Sequence, residues 1–124
     1  MLEGHQLRVI TPATGEPVTV DDVRSHLRID STDDDYLLAI YIKSARQYAE
    51  NYTGRAFMPQ TLQLRIDQFP TGGIIELPKP PLSTNTTDVA ITFLDGASGN
   101  STTLSSTYYT VDSHSEPGRV LLNK

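Results

Sequence analysis

The chain of 124 residues predicts a single α+β domain, residues 1–124, with an N-terminal helical pair packed on a small, mostly antiparallel β-sheet. Three observations predict it. Capped stretches with helical apolar spacing fill residues 19–54, the apolar period changes to alternation after Pro59, and Pro, Gly, Ser and Asn clusters punctuate residues 60–124. A domain of this length buries roughly two-thirds of its unfolded surface, enough for one core without covalent staples.

The first helix starts at Thr19, whose hydroxyl stands at the N-cap with Asp22 three positions on, an acidic form of the capping box. Val20, Val23 and Leu27 then recur at helical spacing for two to three turns, and the pattern breaks at Ile29-Asp30-Ser31. Ser31 or Thr32 is the expected cap of the second helix. Asp33, Asp34 and Asp35 fall in its first turn, where unbonded N–H groups and the positive dipole end stabilise carboxylates.

From Asp33 to about Tyr52 there is no Pro or Gly, and Leu37, Ile40 or Tyr41, Ala45, Tyr48 and Tyr52 form an apolar and aromatic stripe. Lys43, Arg46, Gln47 and Glu50 mark the wetter face, and Gly54 ends the helix as a left-handed cap. Roughly twenty residues at about 1.5 Å each make a rod of about 30 Å. Such a pair cannot cover its own stripe, so the stripe must meet the later strands, a neighbouring subunit, or both.

Leu62, Leu64 and Ile66 alternate with Gln63, Arg65 and Asp67, the pattern of a half-buried strand. Phe69 to Gly73 is a turn, Ile74 to Leu77 a short extended segment, and Pro78-Lys79-Pro80-Pro81 a stiff connector. Val89, Ile91 and Phe93 alternate again before the polar stretch Ala97–Ser106, expected to be a mobile hairpin tip. Tyr108 to Asp112 and Val120-Leu121-Leu122 supply the last two strands, separated by Glu116-Pro117-Gly118.

Composition excludes several function classes. A net charge of −5 and ten scattered basic residues argue against a protein that grips nucleic acid, though like charge suits a surface past which DNA slides. Absence of cysteine removes disulfides, thiolate metal sites and cysteine nucleophiles. No long apolar run crosses a bilayer, and the N-terminus lacks the basic flank and apolar region of a signal peptide, so cytoplasmic synthesis is expected.

Asp30, Thr32 and Asp34 start with calcium-loop spacing, but Asp35 stands where the loop needs glycine and Tyr41 where it needs glutamate. N-terminal helix charge is the better account. His5, His26 and His114 lack metal-ligand spacing, no Gly-x-Ser-x-Gly elbow occurs, and Gly72-Gly73 and Gly96–Gly99 lack the setting of a phosphate loop. No cofactor and no enzymatic activity are therefore expected. Tyr36, Tyr41, Tyr48 and Tyr52 on the long helix suit an interface, since tyrosine combines large contact area with a polar tip, although core packing would use the same spacing.

Several segments in order complete the picture: Val9-Ile10-Thr11-Pro12, Glu16-Pro17-Val18-Thr19 leading to His26-Leu27-Arg28-Ile29-Asp30, and the acidic entry to the long helix. Next come Tyr52-Thr53-Gly54-Arg55-Ala56, Gln60-Thr61-Leu62, Leu77 to Leu82, Tyr109-Thr110-Val111-Asp112 and Glu116-Pro117-Gly118-Arg119-Val120. Together they resemble the head-tail connector family of tailed bacteriophages and prophages, small adaptors that dock on the portal. Relatives usually continue with another strand and C-terminal helices, where this chain stops at Lys124.

The resemblance implies a structural virion protein, assembled in the host bacterial cytoplasm. It implies a homo-oligomeric ring, commonly about twelve-fold by closure of a heterologous interface, between the portal and a tail-proximal connector or stopper protein. DNA would pass through the lumen without sequence-specific binding. Asp33, Asp34, Tyr41, Tyr48, Tyr52 and Arg55 are the expected subunit-interface residues. The alternatives are another phage tail-completion or stopper protein, a small β-rich ligand-binding module suggested by the Thr/Ser-rich strands, and, last, a hydrolase using His26 or His114 with a nearby aspartate.

Overall fold

The computed structural model describes residues 5–123. A short helix and then a long one are followed by antiparallel sheets, the α+β class that the sequence predicts. The residues divide into two compact units, Gln6–Leu64 and the chain from Arg65 onward together with His5.

The first unit opens with β1 (Gln6–Thr11), a strand that the periodicity reading did not identify. It precedes α1 (Val20–Leu27) and α2 (Asp35–Thr53), and its only strand neighbour among the described residues is β2 (Thr61–Arg65). In β2 the expected alternation holds, with Leu62 and Leu64 half-buried between exposed neighbours.

The predicted capping box of α1 is present: Thr19 Oγ1 accepts from the Asp22 N–H at 3.1 Å, and Asp22 Oδ2 accepts from the Thr19 N–H at 2.9 Å. The helix ends where Arg28 takes a left-handed backbone, φ 56°, and donates its N–H to the carbonyls of Arg24 and Ser25. Only then does the chain turn into α2.

The start of α2 lies two residues later than Asp33. The Thr32 carbonyl accepts the Asp35 N–H at 3.2 Å, closing a turn that holds Asp33 and Asp34 outside the helix. Asp34 becomes the N-cap without a side-chain capping bond, and Asp35 is the one acidic residue of the first turn. Its carboxylate lies 3.0 Å from Arg24 Nε, which ties the start of α2 to α1. At the other end Gly54, φ 68°, is the predicted left-handed cap.

The second unit contains β3 (Ile74–Glu76), β4 (Thr92–Leu94), β5 (Ser101–Thr103), β6 (Tyr109–Asp112) and β7 (Arg119–Leu122). Three of them form an antiparallel sheet in the order β3-β7-β6, with Ile75 and Val111 both opposite Val120. Val120 is 1% exposed and anchors this small core. Strands β4 and β5 make a separate antiparallel ribbon, so part of the stretch expected to be a hairpin tip is paired strand, while residues 89–91 lie outside β4.

Two segments about forty residues apart meet beside the sheet. The Gly118 carbonyl accepts the Leu77 N–H at 2.8 Å, and Leu82 packs on Gly118 so closely that an added Cβ would lie 2.7 Å from Leu82 Cβ. Only glycine leaves room there. The loop before β7 is organised by Asp112, whose carboxylate accepts from the Ser115 hydroxyl at 2.6 Å, from Arg119 Nη2 at 2.8 Å and from the His114 and Ser115 N–H groups. These donors hold its pKa well below the usual aspartate value, the Ser115 hydroxyl first and Arg119 next.

Candidate functional site

Helix α2 presents two different stripes. Leu38, Ile42, Arg46 and Glu50, each four residues from the last, are the buried one. The sequence placed Arg46 and Glu50 on the wet face; the structure buries both, because each finds a charged partner. Arg46 Nε lies 2.5 Å from Glu16 Oε2 and Nη2 lies 3.1 Å from Oε1, a bidentate pair with the segment before α1. Arg46 Nη1 donates to Glu50 Oε2 at 2.9 Å, and Glu50 Oε1 accepts the Phe57 N–H at 2.9 Å.

This network fastens three pieces of chain: the approach to α1, the inward face of α2, and the loop after Gly54. The hydrogen bond to Glu16 raises the Arg46 pKa further above its ordinary value, against the opposing effect of burial. One signal for it was present in the sequence, the Arg46/Glu50 pair at i,i+4. Glu16, thirty residues away, carried no local signal.

The second stripe is exposed. Tyr41 is 58% accessible, Tyr48 73% and Tyr52 83%, and Leu37 and Ile40 extend the apolar surface toward the start of the helix. At 3.6 residues per turn, Leu37, Tyr41, Tyr48 and Tyr52 fall within about 60° of arc, centred about 130° from the buried stripe. The Tyr48 and Tyr52 rings stack, with centroids 6.4 Å apart and planes inclined by 13°. Tyr36 is also exposed but lies off this ridge.

The six residues singled out for an interface do not form one patch. Tyr48 and Tyr52 are together, Tyr41 lies on the same ridge, and half-buried Arg55 follows directly after the Gly54 cap. Asp33 and Asp34 are exposed in the turn at the opposite end of α2, about 27 Å of helix from Tyr52. An interface using all six must run the length of the helix.

Other features offer little for chemistry. A shallow polar hollow of about 420 Å³ is lined by Asp21, Arg24, Ser25, Arg28, Ile29 and Asp30. An apolar one of about 330 Å³ is lined by Val18, Val23, Leu27, Asp22 and His26. The Asp22 carboxylate in it is engaged by Thr19, whose hydroxyl and N–H lower its pKa. Among the described residues no group of three or more His, Asp or Glu is placed to hold a metal ion, and no helix is long and apolar enough to cross a membrane.

No curated protein and no solved structure was found to match the chain. A family model does: the one described as phage gp6-like head-tail connector protein matches residues 17–110, which takes in α1, the whole of α2 with both of its stripes, and the strands through the start of β6. The chain belongs to this family of phage head-tail connector proteins, and its role is structural.

Proposed function

We propose that copies of this chain associate through the tyrosine ridge of α2 into a closed ring, seated between the portal and a tail-proximal connector or stopper protein, with DNA passing through the lumen. The single observation that carries the reading is the ridge itself. Tyr41, Tyr48 and Tyr52 are large, stacked in part and largely exposed on a helix whose other stripe is already satisfied. Their exposed parts amount to roughly 400 Å², about half of the ~800 Å² that one partner contributes to a standard interface. Leu37 and Ile40 extend the apolar face, and Asp33, Asp34 and Arg55 supply a polar rim.

The shortage of internal apolar burial supports the same reading. Among the described residues only Leu38, Ile42, Ile75 and Val120 are buried hydrophobics, a small core for a chain this long. The net charge of −5 suits a lumen that does not hold phosphate. The family match runs through both compact units, which supports reading residues 1–124 as one connector-like domain. In this reading the chain works by adhesion without turnover, assembles in the host cytoplasm and ends in the virion.

The test measures the mass of the full chain in solution and its binding to a portal ring. Tyr48→Ala/Tyr52→Ala is expected to keep its circular dichroism, since neither ring is buried within the chain, and to lose at least about 2 kcal/mol of association, roughly thirtyfold. A protein that stays monomeric without portal affinity, or a double variant that assembles normally, would refute the reading. Preference for a tail protein over the portal would reassign it to the stopper position.

A further inference from the structure

Two β-ribbons have outer edges with no strand beside them among the described residues. Among the described residues β1 has only β2 beside it, and β4 has only β5. In the second ribbon the Leu104 N–H bonds to the Ile91 carbonyl and the Asp95 N–H to that of Asn100. With Phe93 opposite Thr102, the alternation of an antiparallel ladder turns the N–H and C=O groups of Thr92 and Leu94 outward. Every residue of β1, β4 and β5 is exposed. Two-stranded ribbons are marginal in water, and open edges readily accept another strand.

The two ribbons complement each other in side chains and in charge. Strand β1 exposes Leu7, Val9 and Ile10, and β4 exposes Phe93 and Leu94, the aliphatic and aromatic types that stabilise neighbouring strands. The β1–β2 ribbon holds Arg8 and Arg65 and no acidic residue. The β4–β5 hairpin, residues 92–103, holds Asp95 in its turn and no Lys, Arg or His.

We propose that the outer edge of β4 in one copy adds to the outer edge of β1 in the next, giving an intersubunit sheet in the order β2-β1-β4-β5. The occupant of each edge is thus a second copy of this chain. Because the joined edges are different surfaces, the contact is head-to-tail, and it propagates until it closes. The inference rests on the oligomeric reading above and supplies a second, backbone-mediated contact beside the tyrosine ridge.

A chain without cysteine makes the test clean. Chains carrying Val9→Cys or Ile10→Cys are mixed with chains carrying Phe93→Cys or Leu94→Cys under mild oxidation, at a concentration where the wild-type protein is oligomeric. At least one mixture is expected to give disulfide-linked dimers about tenfold above either chain alone, and the matching double-cysteine chain is expected to run as a ladder. Thr92→Pro removes an outward N–H and leaves the β4–β5 bonds in place, so it should weaken association about fivefold, the worth of one backbone hydrogen bond.

Three outcomes overturn the proposal. Efficient cross-linking of β1-cysteine chains with themselves would mean a symmetric β1 contact. Defined oligomers with no cross-link in any mixture and no effect of Thr92→Pro would remove the ribbon contact while leaving the ring intact. A wild-type chain that is monomeric at every concentration would remove both.

Discussion

Replacing Arg46 by alanine is the sharpest test of how α2 is seated. Sequence periodicity puts Arg46 on a solvated face, where such a change costs within about 0.5 kcal/mol. The structure makes it the hub of a buried network, with its side chain 7% exposed and that of Glu50 9% exposed. Removing the guanidinium takes away the bidentate contact to Glu16 and the 2.9 Å bond to the buried Glu50 carboxylate. Breaking a buried pair from one side costs about 3–5 kcal/mol, a large share of the ~5–15 kcal/mol that holds a domain together. Urea unfolding followed by far-ultraviolet circular dichroism measures this, with exposed Lys43→Ala as the control. An Arg46→Ala variant within about 1 kcal/mol of wild type, at unchanged m-value, would refute the buried seating.

Two further perturbations address the second unit. Gly118→Ala would place a methyl 2.7–2.8 Å from Leu82 Cβ and Cδ2. Because Leu82 Cβ is fixed to the backbone, thermal unfolding should register an overpacking cost of about 1–3 kcal/mol. Asp112 has a depressed pKa in the folded chain, so its contribution is complete above the unfolded value of about 3.9 and fades as pH falls below it, when the unfolded chain takes up the proton first. Melting temperatures of Asp112→Asn and wild type should therefore differ most near neutrality and converge as pH falls below about 4; a difference that grows on acidification would contradict the assignment.

What was legible in the sequence was what local chemistry decides. The Thr19/Asp22 box, the Gly54 cap, the alternation of Leu62 and Leu64 and the final strands each depend on neighbours a few residues away, and each is found. The start of α2 was misjudged by two residues because a turn bond from Asp35 to Thr32 competes with capping by Ser31 or Thr32. Strand β1 was missed because its strand partner lies some fifty residues away and all its side chains remain exposed, which leaves little periodic contrast. Arg46 and Glu50 were misplaced for a related reason: pattern reading assigns charge to water unless it knows the partner, and Glu16 is supplied by the fold. The tyrosines were identified as interface candidates, but their exposure could be learned only once the other stripe was seen to face inward.

That pairing of stripes raises a question of specificity. A helix with apolar or aromatic side chains on two faces about 130° apart can turn either toward its own unit, and hydrophobic burial alone discriminates weakly between them. Buried charges discriminate strongly, because burying Arg46 and Glu50 is tolerable where partners such as Glu16 and the Phe57 N–H meet them. The network then fixes the rotation of α2 and keeps Tyr41, Tyr48 and Tyr52 outward. The variant Glu16→Gln/Arg46→Met/Glu50→Gln removes the charges and keeps an acceptor for Phe57. By this reasoning it stays within about 1–2 kcal/mol of wild type, since neutralising the three groups together leaves none of these three charges buried against a missing partner. It should nonetheless lose definition, with broadened amide resonances, greater protection of the tyrosine rings from solvent quenchers and assemblies of mixed size. A triple variant giving sharp spectra, fully quenchable tyrosines and wild-type oligomers would show that packing alone orients the helix, and that the charges serve only to fasten the Glu16 and Phe57 segments.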